Sequence, residues 1–359
     1  MLSTRHSTTE PLELVMSLFR RIASLFCSLI VLDSLAAQEV LTISDSIVDH
    51  ILFVEDSFMS SVPGKRGGSA LVDAQTFDMI LENSGSAPQL MPGGSSVNVL
   101  KGLAHLGHRC TLVVQVGNDL TGQFFVNRLS DQGILLRMET ISSPTGKSAC
   151  LVTPNGERTM RTFLGASGSN SNLNLLREDF QTVNLFHLEG YQLKHHNLVK
   201  KAIELSKQSN ALISLDLSSF EIARAERSFI KEILEAGAIN LFFANQDEAY
   251  ALTGLAPQEA CSYIASYCDV AIVTMGEKGS IIQKGKNQFH YPAFVVPVVD
   301  TIGAGDLFMS GFIHGYLHQW SIKDCAWLGS YLASEVVQVI GAEIPADRWD
   351  VILQDTNCD

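Results

Sequence analysis

The chain has 359 residues, a hydrophobic content of 46% and a formal net charge of −13. It is long enough to bury a large core, and its acidity excludes the basic surface that nucleic acids or anionic membranes require. Seven scattered cysteines without a C-x-x-C pair indicate neither a disulfide framework nor a zinc site, so we expect a reducing compartment.

Residues 1–38 leave two interpretations open. Arg20 and Arg21 precede an apolar run over residues 22–32, and small residues follow at 34–37, as in a secretory signal with its cleavage site. Asp33 interrupts that pattern, which favours an N-terminal extension or a start codon assigned too far upstream. The run is too short for a convincing membrane span. We expect the folded domain to occupy residues 39–359.

The first strand of that domain is expected at residues 40–43, which are β-branched or apolar. Asp45 and Asp49 follow its carboxyl end, where open α/β sheets bind their ligands. Residues 50–92 combine short apolar pieces with glycine and proline, which predicts irregular strands and turns. The Gly93-Gly94 pair then precedes a helix over residues 99–106, so the backbone there can approach a ligand closely.

Beyond residue 95, strands and helices alternate. Strands are predicted at 111–116, 185–188, 211–215, 240–244 and 270–274, and a helix at 122–132. The Asn155-Gly156 pair predicts a hairpin between strands 148–153 and 158–164. This alternation predicts an α/β fold with a mostly parallel, Rossmann-like sheet that is covered by helices on both faces.

Several of these strands end in polar residues. Tyr191 follows one of them, where its ring could stack on a nucleobase or simply pack against the strand end. Asn245 and Glu248 have the spacing of a capping box, which is a complete structural explanation for the pair. Gly276 and Gly279 shape the turn that follows Thr274.

The segment Asp300-Thr301-Ile302-Gly303-Ala304-Gly305-Asp306 is predicted to join a buried strand at 295–299 to a helix over 307–319. Its glycines allow a tight turn, and its N–H groups would bind phosphate at the helix N-terminus. Asp306, the first residue of that helix, would stand beside the anion as a base. His314 and His318 have a metal-ligand spacing, but no third ligand motif lies nearby, so we interpret them as ordinary helix residues.

Two of these segments together resemble a known family. The heptapeptide at 300–306 matches D-T-x-G-A-G-D, and residues 93–98 match G-G-x-x-x-N before a helix that ends in L-G. Both motifs resemble those of the ribokinase (PfkB) family of carbohydrate and nucleoside kinases, and the resemblance covers about residues 39–345. It implies a ribokinase fold with a small β lid, built from about residues 50–92 and 134–165.

The resemblance also implies the chemistry, which is transfer of the γ-phosphoryl group of ATP to a primary hydroxyl. It assigns the following roles: Asp306 as general base; Gly303, Ala304 and Gly305 as anion hole; Arg158 on the transferring phosphate; Asp45, Asp49, Gly93, Gly94, Asn98 and Tyr191 on the substrate; Thr274, Gly276, Gly279 and Thr301 on ATP; and Asn245 and Glu248 on Mg²⁺ through water. A requirement for K⁺ stays open.

Within the family, the Asp45–Asp49 segment, the turn at 156–159 and residues 245–248 look most like bacterial adenosine-kinase-like members. This implies adenosine as substrate, AMP as product and a role in purine salvage. Ser44 and Asp45 stand where Gly and Asn are usual, so the shape of the sugar pocket departs from the pattern.

Two alternatives stay open. One is a sugar kinase of the fructokinase, ribokinase or 2-keto-3-deoxygluconate kinase type, and the other is a non-catalytic nucleoside-binding protein. Expected partners are a nucleoside or sugar and ATP, with no nucleic acid or membrane, in a monomer or homodimer. The need for ATP favours a cytoplasmic location.

Overall fold

Two β-sheets organise the protein, whose computed structural model describes residues 37–356. In chain order, the strands are β1 Glu39–Ile43, β2 Ile47–Phe53, β3 Ser69–Leu71, β4 Gln89–Gly93, β5 Arg109–Gly117, β6 Leu135–Ile141, β7 Gly146–Val152, β8 Arg158–Phe163, β9 Leu185–Glu189, β10 Leu212–Asp216, β11 Leu241–Asn245, β12 Val270–Thr274, β13 Ser280–Lys284 and β14 Asn287–Tyr291.

Eleven α-helices of four or more residues connect or cover these strands within residues 37–356. They are α1 Ala74–Asn83, α2 Ser95–His105, α3 Leu120–Asp131, α4 His196–Gln208, α5 Phe220–Ala225, α6 Arg227–Glu235, α7 Gln246–Thr253, α8 Pro257–Ile264, α9 Ala304–Leu317, α10 Ile322–Val336 and α11 Ala346–Thr356. None of these described helices is both long and apolar enough to cross a membrane.

The large sheet has nine strands in the order β14-β13-β12-β11-β10-β9-β1-β5-β6. The seven strands from β12 to β6 run parallel, and β13 and β14 form an antiparallel hairpin at one edge. Successive side chains of a strand point to opposite faces. Leu41 and Ile43 therefore pack on one face with α4 to α8, and Val40 packs on the other with α2, α3, α9 and α10. The predicted α/β architecture is confirmed.

The small sheet has five strands in the order β3-β8-β7-β2-β4. Strands β7 and β8 form the antiparallel hairpin that Asn155-Gly156 predicted. The outer face of the sheet packs on α1, where Phe77 and Ile80 meet Leu52 and Leu151. The inner face carries Ile51, Cys150 and Val152.

The structure differs from several expectations at the level of elements. The segment 50–92 contains the regular helix α1, whose apolar face covers the small sheet. Strand β6 pairs with β5 in the large sheet and so lies outside the small sheet, although we assigned residues from 134 onward to the lid. The predicted extension over residues 1–38 falls outside the described residues, apart from its last two.

The segment before the glycine loop is the clearest failure of prediction. Residues 295–299 form no strand, and Val295, Val298 and Val299 are exposed. The large sheet ends at β14, so these β-branched residues have no strand beside them to pair with. Helix α9 begins at Ala304, which makes Asp306 its third residue rather than its first.

Candidate active site

A cleft of about 680 Å³ lies between the small sheet and the carboxyl ends of the parallel strands. Eleven of the residues that the sequence singled out line it: Asp45, Asp49, Gly94, Asn98, Arg158, Tyr191, Asn245, Glu248, Thr274, Gly305 and Asp306. They come from strands of both sheets and from the loops and helices between those strands. The fold therefore brings together residues that are far apart in sequence.

Six other predicted site residues do not line the cleft: Gly93, Gly276, Gly279, Thr301, Gly303 and Ala304. Gly93 lies directly behind Asp49, since a Cβ on Gly93 would overlap the Asp49 carboxylate. Gly279 has a φ of +83° and passes so close to the Tyr291 carbonyl that a side chain would not fit. Gly93 therefore supports the cleft wall through Asp49, and Gly279 allows the chain to pass close to Tyr291.

Asp306 is held in a fixed orientation at the start of α9. Its Oδ1 accepts a hydrogen bond from Ser95 Oγ at 2.8 Å, and its Oδ2 accepts one from Asn98 Nδ2 at 2.8 Å. Burial raises the pKa of Asp306 to about 6, although both hydrogen bonds oppose the rise. The carboxylate is therefore mostly ionised at neutral pH and is able to accept a proton.

The two glycines at the N-terminus of α9, Gly303 and Gly305, have different surroundings. Gly303 is the N-cap with a φ of +78°, and a Cβ there would lie 2.6 Å from Ala342 Cβ. A Cβ on Gly305 would meet nothing within 4 Å. The first N–H groups of a helix have no partner within it, and the positive end of the helix dipole adds to their attraction for anions. The space beside Gly305 is suited to a phosphate.

The two aspartates that follow strand β1 differ in whether their carboxylates accept hydrogen bonds. Asp45 Oδ1 accepts from Asn170 Nδ2 at 2.8 Å and from Gln192 Nε2 at 2.9 Å, so the protein itself uses this oxygen. The carboxylate of Asp49, on β2 of the small sheet, makes no hydrogen bond within the described part of the chain. Burial raises the pKa of Asp49 to about 6, and the positive charges of Lys101 and Arg158 lower it. Asp49 is thus free to bind hydroxyl groups.

Asn245 and Glu248 form the expected capping box at the start of α7. Asn245 Oδ1 accepts from the Glu248 N–H at 2.9 Å, and Glu248 Oε2 accepts from the Asn245 N–H at 2.8 Å. Burial, together with the charges of Asp247 and Asp306, raises the pKa of Glu248 to about 7. Burial and the neighbouring acids likewise raise the pKa of Asp216 well above its usual value.

This group of carboxylates fits a magnesium ion that is bound through water. A cation near Asp216, Glu248 and Asp306 would stabilise their ionised forms, and Mg²⁺ usually retains several waters. Because both oxygens of Glu248 already accept hydrogen bonds from Asn245, they are better able to hold those waters than to coordinate the ion directly.

Arg158 points toward the glycine loop but is paired within the protein. Its guanidinium donates to Asp300 Oδ2. The Gly341 N–H donates to the same oxygen at 2.6 Å, and the Ile302 N–H donates to Oδ1 at 3.0 Å. Asp300 therefore connects the small sheet, the glycine loop and the turn after α10. Arg158 thus lines the cleft while its guanidinium is paired with Asp300.

Sequence reasoning missed two residues of the site, Ser95 and Lys101, and gave no role to Glu189, which follows a predicted strand. Lys101 is only 4% exposed, donates to the Pro92 carbonyl at 2.7 Å and pairs with Glu343 at 3.0 Å. Glu189 accepts from the Ser96 N–H at 3.0 Å and so fixes the start of α2. Lys101 lies three residues after Asn98, a spacing that puts both on one helix face and could have identified it.

Comparison with known proteins adds an independent line of evidence. The model of the pfkB family of carbohydrate kinases matches residues 68–349. The chain is 26% identical over 265 residues to a nucleoside kinase from Methanocaldococcus jannaschii, which covers 73% of this chain and 84% of the relative.

Solved structures show the same relationship over almost the whole described chain. A probable sugar kinase from Rhizobium etli has a TM-score of 0.81 at 29% identity, over 89% of this chain and 98% of its own. Adenosine kinase from Sinorhizobium meliloti has the same TM-score and identity, over 89% of this chain and 100% of its own.

Proposed function

Because this chain belongs to the pfkB family of carbohydrate kinases, and is therefore a phosphotransferase with an alcohol group as acceptor, we propose that its substrate is a nucleoside, adenosine. The reaction would move the γ-phosphoryl group of ATP to the 5′-hydroxyl, giving AMP and ADP. The observation that carries the choice of a nucleoside is the ring of Tyr191, which is 40% exposed and lines the cleft.

Asp306 would act as the general base. Ser95 and Asn98 occupy one lone pair on each carboxylate oxygen and aim the others into the cleft. The acceptor hydroxyl gives its proton to Asp306 as its oxygen bonds to the γ-phosphorus, and the bond from that phosphorus to the β,γ-bridging oxygen breaks. Phosphoryl transfer proceeds through a loose transition state, so the proton can leave late and a pKa near 6 is sufficient.

The N-terminus of α9 would stabilise charge on the transferring group. Gly305 leaves the space that a γ-phosphoryl group needs, and the N–H groups of Gly303, Ala304 and Gly305 lie at the positive end of the helix dipole. Mg²⁺, when bound, neutralises phosphate charge; Asn245 and Glu248 would orient its waters. Thr274, at the end of β12, contributes to the wall where ATP would lie.

Asp49 and Tyr191 support the nucleoside. A carboxylate that accepts two hydrogen bonds suits the vicinal hydroxyls of ribose, and the Asp49 carboxylate uses none of its acceptor capacity within residues 37–356. Tyr191 is 40% exposed and lines the cleft, which leaves a ring face for a nucleobase. Since the reaction consumes ATP, we also propose that the protein is located in the cytoplasm.

A sugar acceptor is the second candidate. The Rhizobium etli protein described as a probable sugar kinase resembles this chain as strongly as the Sinorhizobium meliloti adenosine kinase does. Asp49 could equally bind two hydroxyls of a free sugar, in which case the ring of Tyr191 would have no base to contact.

The deciding experiment measures ADP formation by the full chain with Mg²⁺ and one acceptor at a time. The acceptors are adenosine, inosine, ribose, fructose and 2-keto-3-deoxygluconate, with 5′-deoxyadenosine as a control that lacks the reacting hydroxyl. We expect kcat/KM for adenosine to exceed that for each sugar by ~5- to 10²-fold, because a nucleobase adds about 1–3 kcal/mol of stacking. A sugar preferred over both nucleosides would establish the second candidate.

A variant of Asp49 tests whether its carboxylate binds the ribose hydroxyls of the acceptor. In Asp49→Asn, we expect kcat/KM for adenosine to fall ~10–10²-fold and the preference for adenosine over 2′-deoxyadenosine to shrink, since hydrogen bonds to a charged acceptor contribute about 1.5–3 kcal/mol. An unchanged preference would remove Asp49 from the ribose site while leaving the kinase activity itself intact.

A further inference from the structure

Three histidines from distant parts of the chain meet on the side of the large sheet that α2 and α9 cover. His108 precedes β5, His314 lies in the last turn of α9, and His318 is the C-cap of that helix. One ligand nitrogen of each ring lies within 4.8 Å of the other two. His108 Nε2 and His314 Nδ1 are 2.9 Å apart. This cluster lies outside the cleft.

Backbone carbonyls select the tautomer of two of the three neutral rings. His108 Nδ1 is 3.3 Å from the Gln38 carbonyl, and His318 Nδ1 is 2.9 Å from the His314 carbonyl. A carbonyl can only accept, so both Nδ1 atoms carry the proton and both Nε2 atoms keep a lone pair. Such carbonyl partners orient the histidine ligands of metal sites.

The surroundings favour a cation. His314 and His318 lie at the carboxyl end of α9, where the helix dipole is negative. His108 is buried, and His314 and His318 are half-buried. Neutral imidazole is the form that binds metals.

We propose that His108, His314 and His318 bind a divalent transition-metal ion, Zn²⁺, with imidazole nitrogens at three positions and water at the fourth. Zn–N bonds of about 2.0–2.1 Å in a tetrahedron place the nitrogens about 3.3 Å apart, so the ligand atoms need to move by only about 1 Å. The proton between His314 Nδ1 and His108 Nε2 moves to Nε2 of His314 when the ion binds. Mg²⁺ is excluded because it prefers oxygen ligands.

Such an ion would connect α2 and α9 at the ends that lie away from the active site. His108 follows α2, and His314 and His318 end α9, while the N-termini of these two helices carry Asn98 and Asp306. Eight residues of helix, about 12 Å, separate Asp306 from His314. A metal bond between the carboxyl ends of both helices would fix the distance between their amino ends, and hence the orientation of the base.

The test uses the untagged full chain, freed of metal by a chelator and kept without nucleotide. Calorimetric titration with Zn²⁺ is expected to give one ion per chain and an increase in Tm, with no effect of Mg²⁺. Co²⁺ in place of Zn²⁺ is expected to give the visible absorption of a low-symmetry, nitrogen-bound ion. His108→Gln and His318→Gln are each expected to weaken Zn²⁺ binding at least ~10-fold.

His196→Gln is the matched control, because His196 is an exposed imidazole that pairs with Glu226 at 2.7 Å on another helix. It is expected to bind Zn²⁺ like the wild type. Equal Zn²⁺ affinity in all three variants, or no ion bound by the wild type, would overturn the proposal. The Co²⁺ spectrum of the wild type tests the proposal even if a variant does not fold. A spectrum without nitrogen coordination would overturn the proposal.

Discussion

Burial and hydrogen bonding act in opposite directions on Asp306 and leave its pKa at about 6. A general base works only when ionised, so its activity is lost as the pH falls through that pKa. We expect kcat/KM for the acceptor to reach a plateau above about pH 7 and to drop about tenfold for each unit below pH 5. The measurement is a pH–rate profile at saturating MgATP. A profile that stays flat from pH 8 to pH 5 would contradict the role of Asp306.

Replacing the Asp306 carboxylate by an amide isolates its chemical contribution. We predict that Asp306→Asn lowers kcat by ~10²–10⁴ while KM for the acceptor stays within about threefold, because the change removes a proton acceptor and keeps the shape. Asp350→Asn is the control, as Asp350 is an exposed aspartate on α11. If both variants turn over like the wild type, the base is another group.

At the scale of elements, the two glycines before and within α9 make separable contributions. We predict that Gly303→Ala destabilises the fold, since alanine at a φ of +78° costs about 1–2 kcal/mol and its Cβ would meet Ala342. Gly305→Ala should leave Tm unchanged, because its Cβ has open space, yet lower kcat ~10²-fold by displacing the phosphoryl group. Thermal unfolding and turnover, measured on both variants, test this. The reverse pattern would refute it.

The contact between α9 and α10 depends on a glycine of α9, Gly311. A Cβ on Gly311 would lie 2.7 Å from the Gly329 nitrogen, so the helices would have to separate. We predict that Gly311→Ala costs ~1–3 kcal/mol of unfolding free energy, measured in urea. Gly168→Ala is the matched control, because its nearest neighbour is Leu164 Cβ at 3.8 Å. Equal stability of both variants would show that the helices adjust freely.

Sequence patterns located most elements because the signals were local. The parallel strands are short apolar runs with polar residues at their carboxyl ends, and both hairpin strands flank an Asn-Gly turn. Residues 295–299 have the same composition but no neighbouring strand, and composition alone cannot reveal a missing partner. Asp306 was indicated by its place beside the phosphate-binding loop and Asn98 by resemblance, whereas Ser95 required knowledge of which helix face meets the cleft.

The histidine cluster also could not be predicted from local sequence patterns. His314 and His318 were dismissed as metal ligands because no third ligand lay nearby in sequence. The third imidazole, His108, is 206 residues away from His314 and approaches only after α2 and α9 have packed together. Local spacing could not have predicted it.

At the scale of the whole molecule, the acidic cleft is a source of instability. The pKa of Asp216 is raised in the folded state by burial and by the charges of Glu248 and Asp306. A raised folded-state pKa means that the native state binds more protons than the unfolded state, so stability falls as pH rises above the unfolded pKa of about 4. The cleft is therefore built for binding cations at the expense of the stability of the ligand-free protein.

This reasoning predicts a stabilised variant. Asp216→Asn keeps an acceptor for Ser218 Oγ, which lies 2.9 Å from the carboxylate, and removes the cost of ionisation. We expect its Tm without ligands to exceed that of the wild type by at least about 2 °C at pH 8, and the difference to vanish toward pH 4.5. Scanning calorimetry at both pH values checks the sign. A lower Tm for the variant at pH 8 would contradict it.

The two aspartates that begin and end the heptapeptide at 300–306 have unlike surroundings. Asp300 accepts hydrogen bonds from Arg158, Ile302 and Gly341 and so joins three segments of the protein. Asp306 is bound by two side chains, Ser95 and Asn98, and faces the cleft. Loss of the first would loosen the architecture, and loss of the second would spare it. A descendant of this protein could therefore abandon catalysis by a single substitution and survive as a well-folded receptor for the same small molecules.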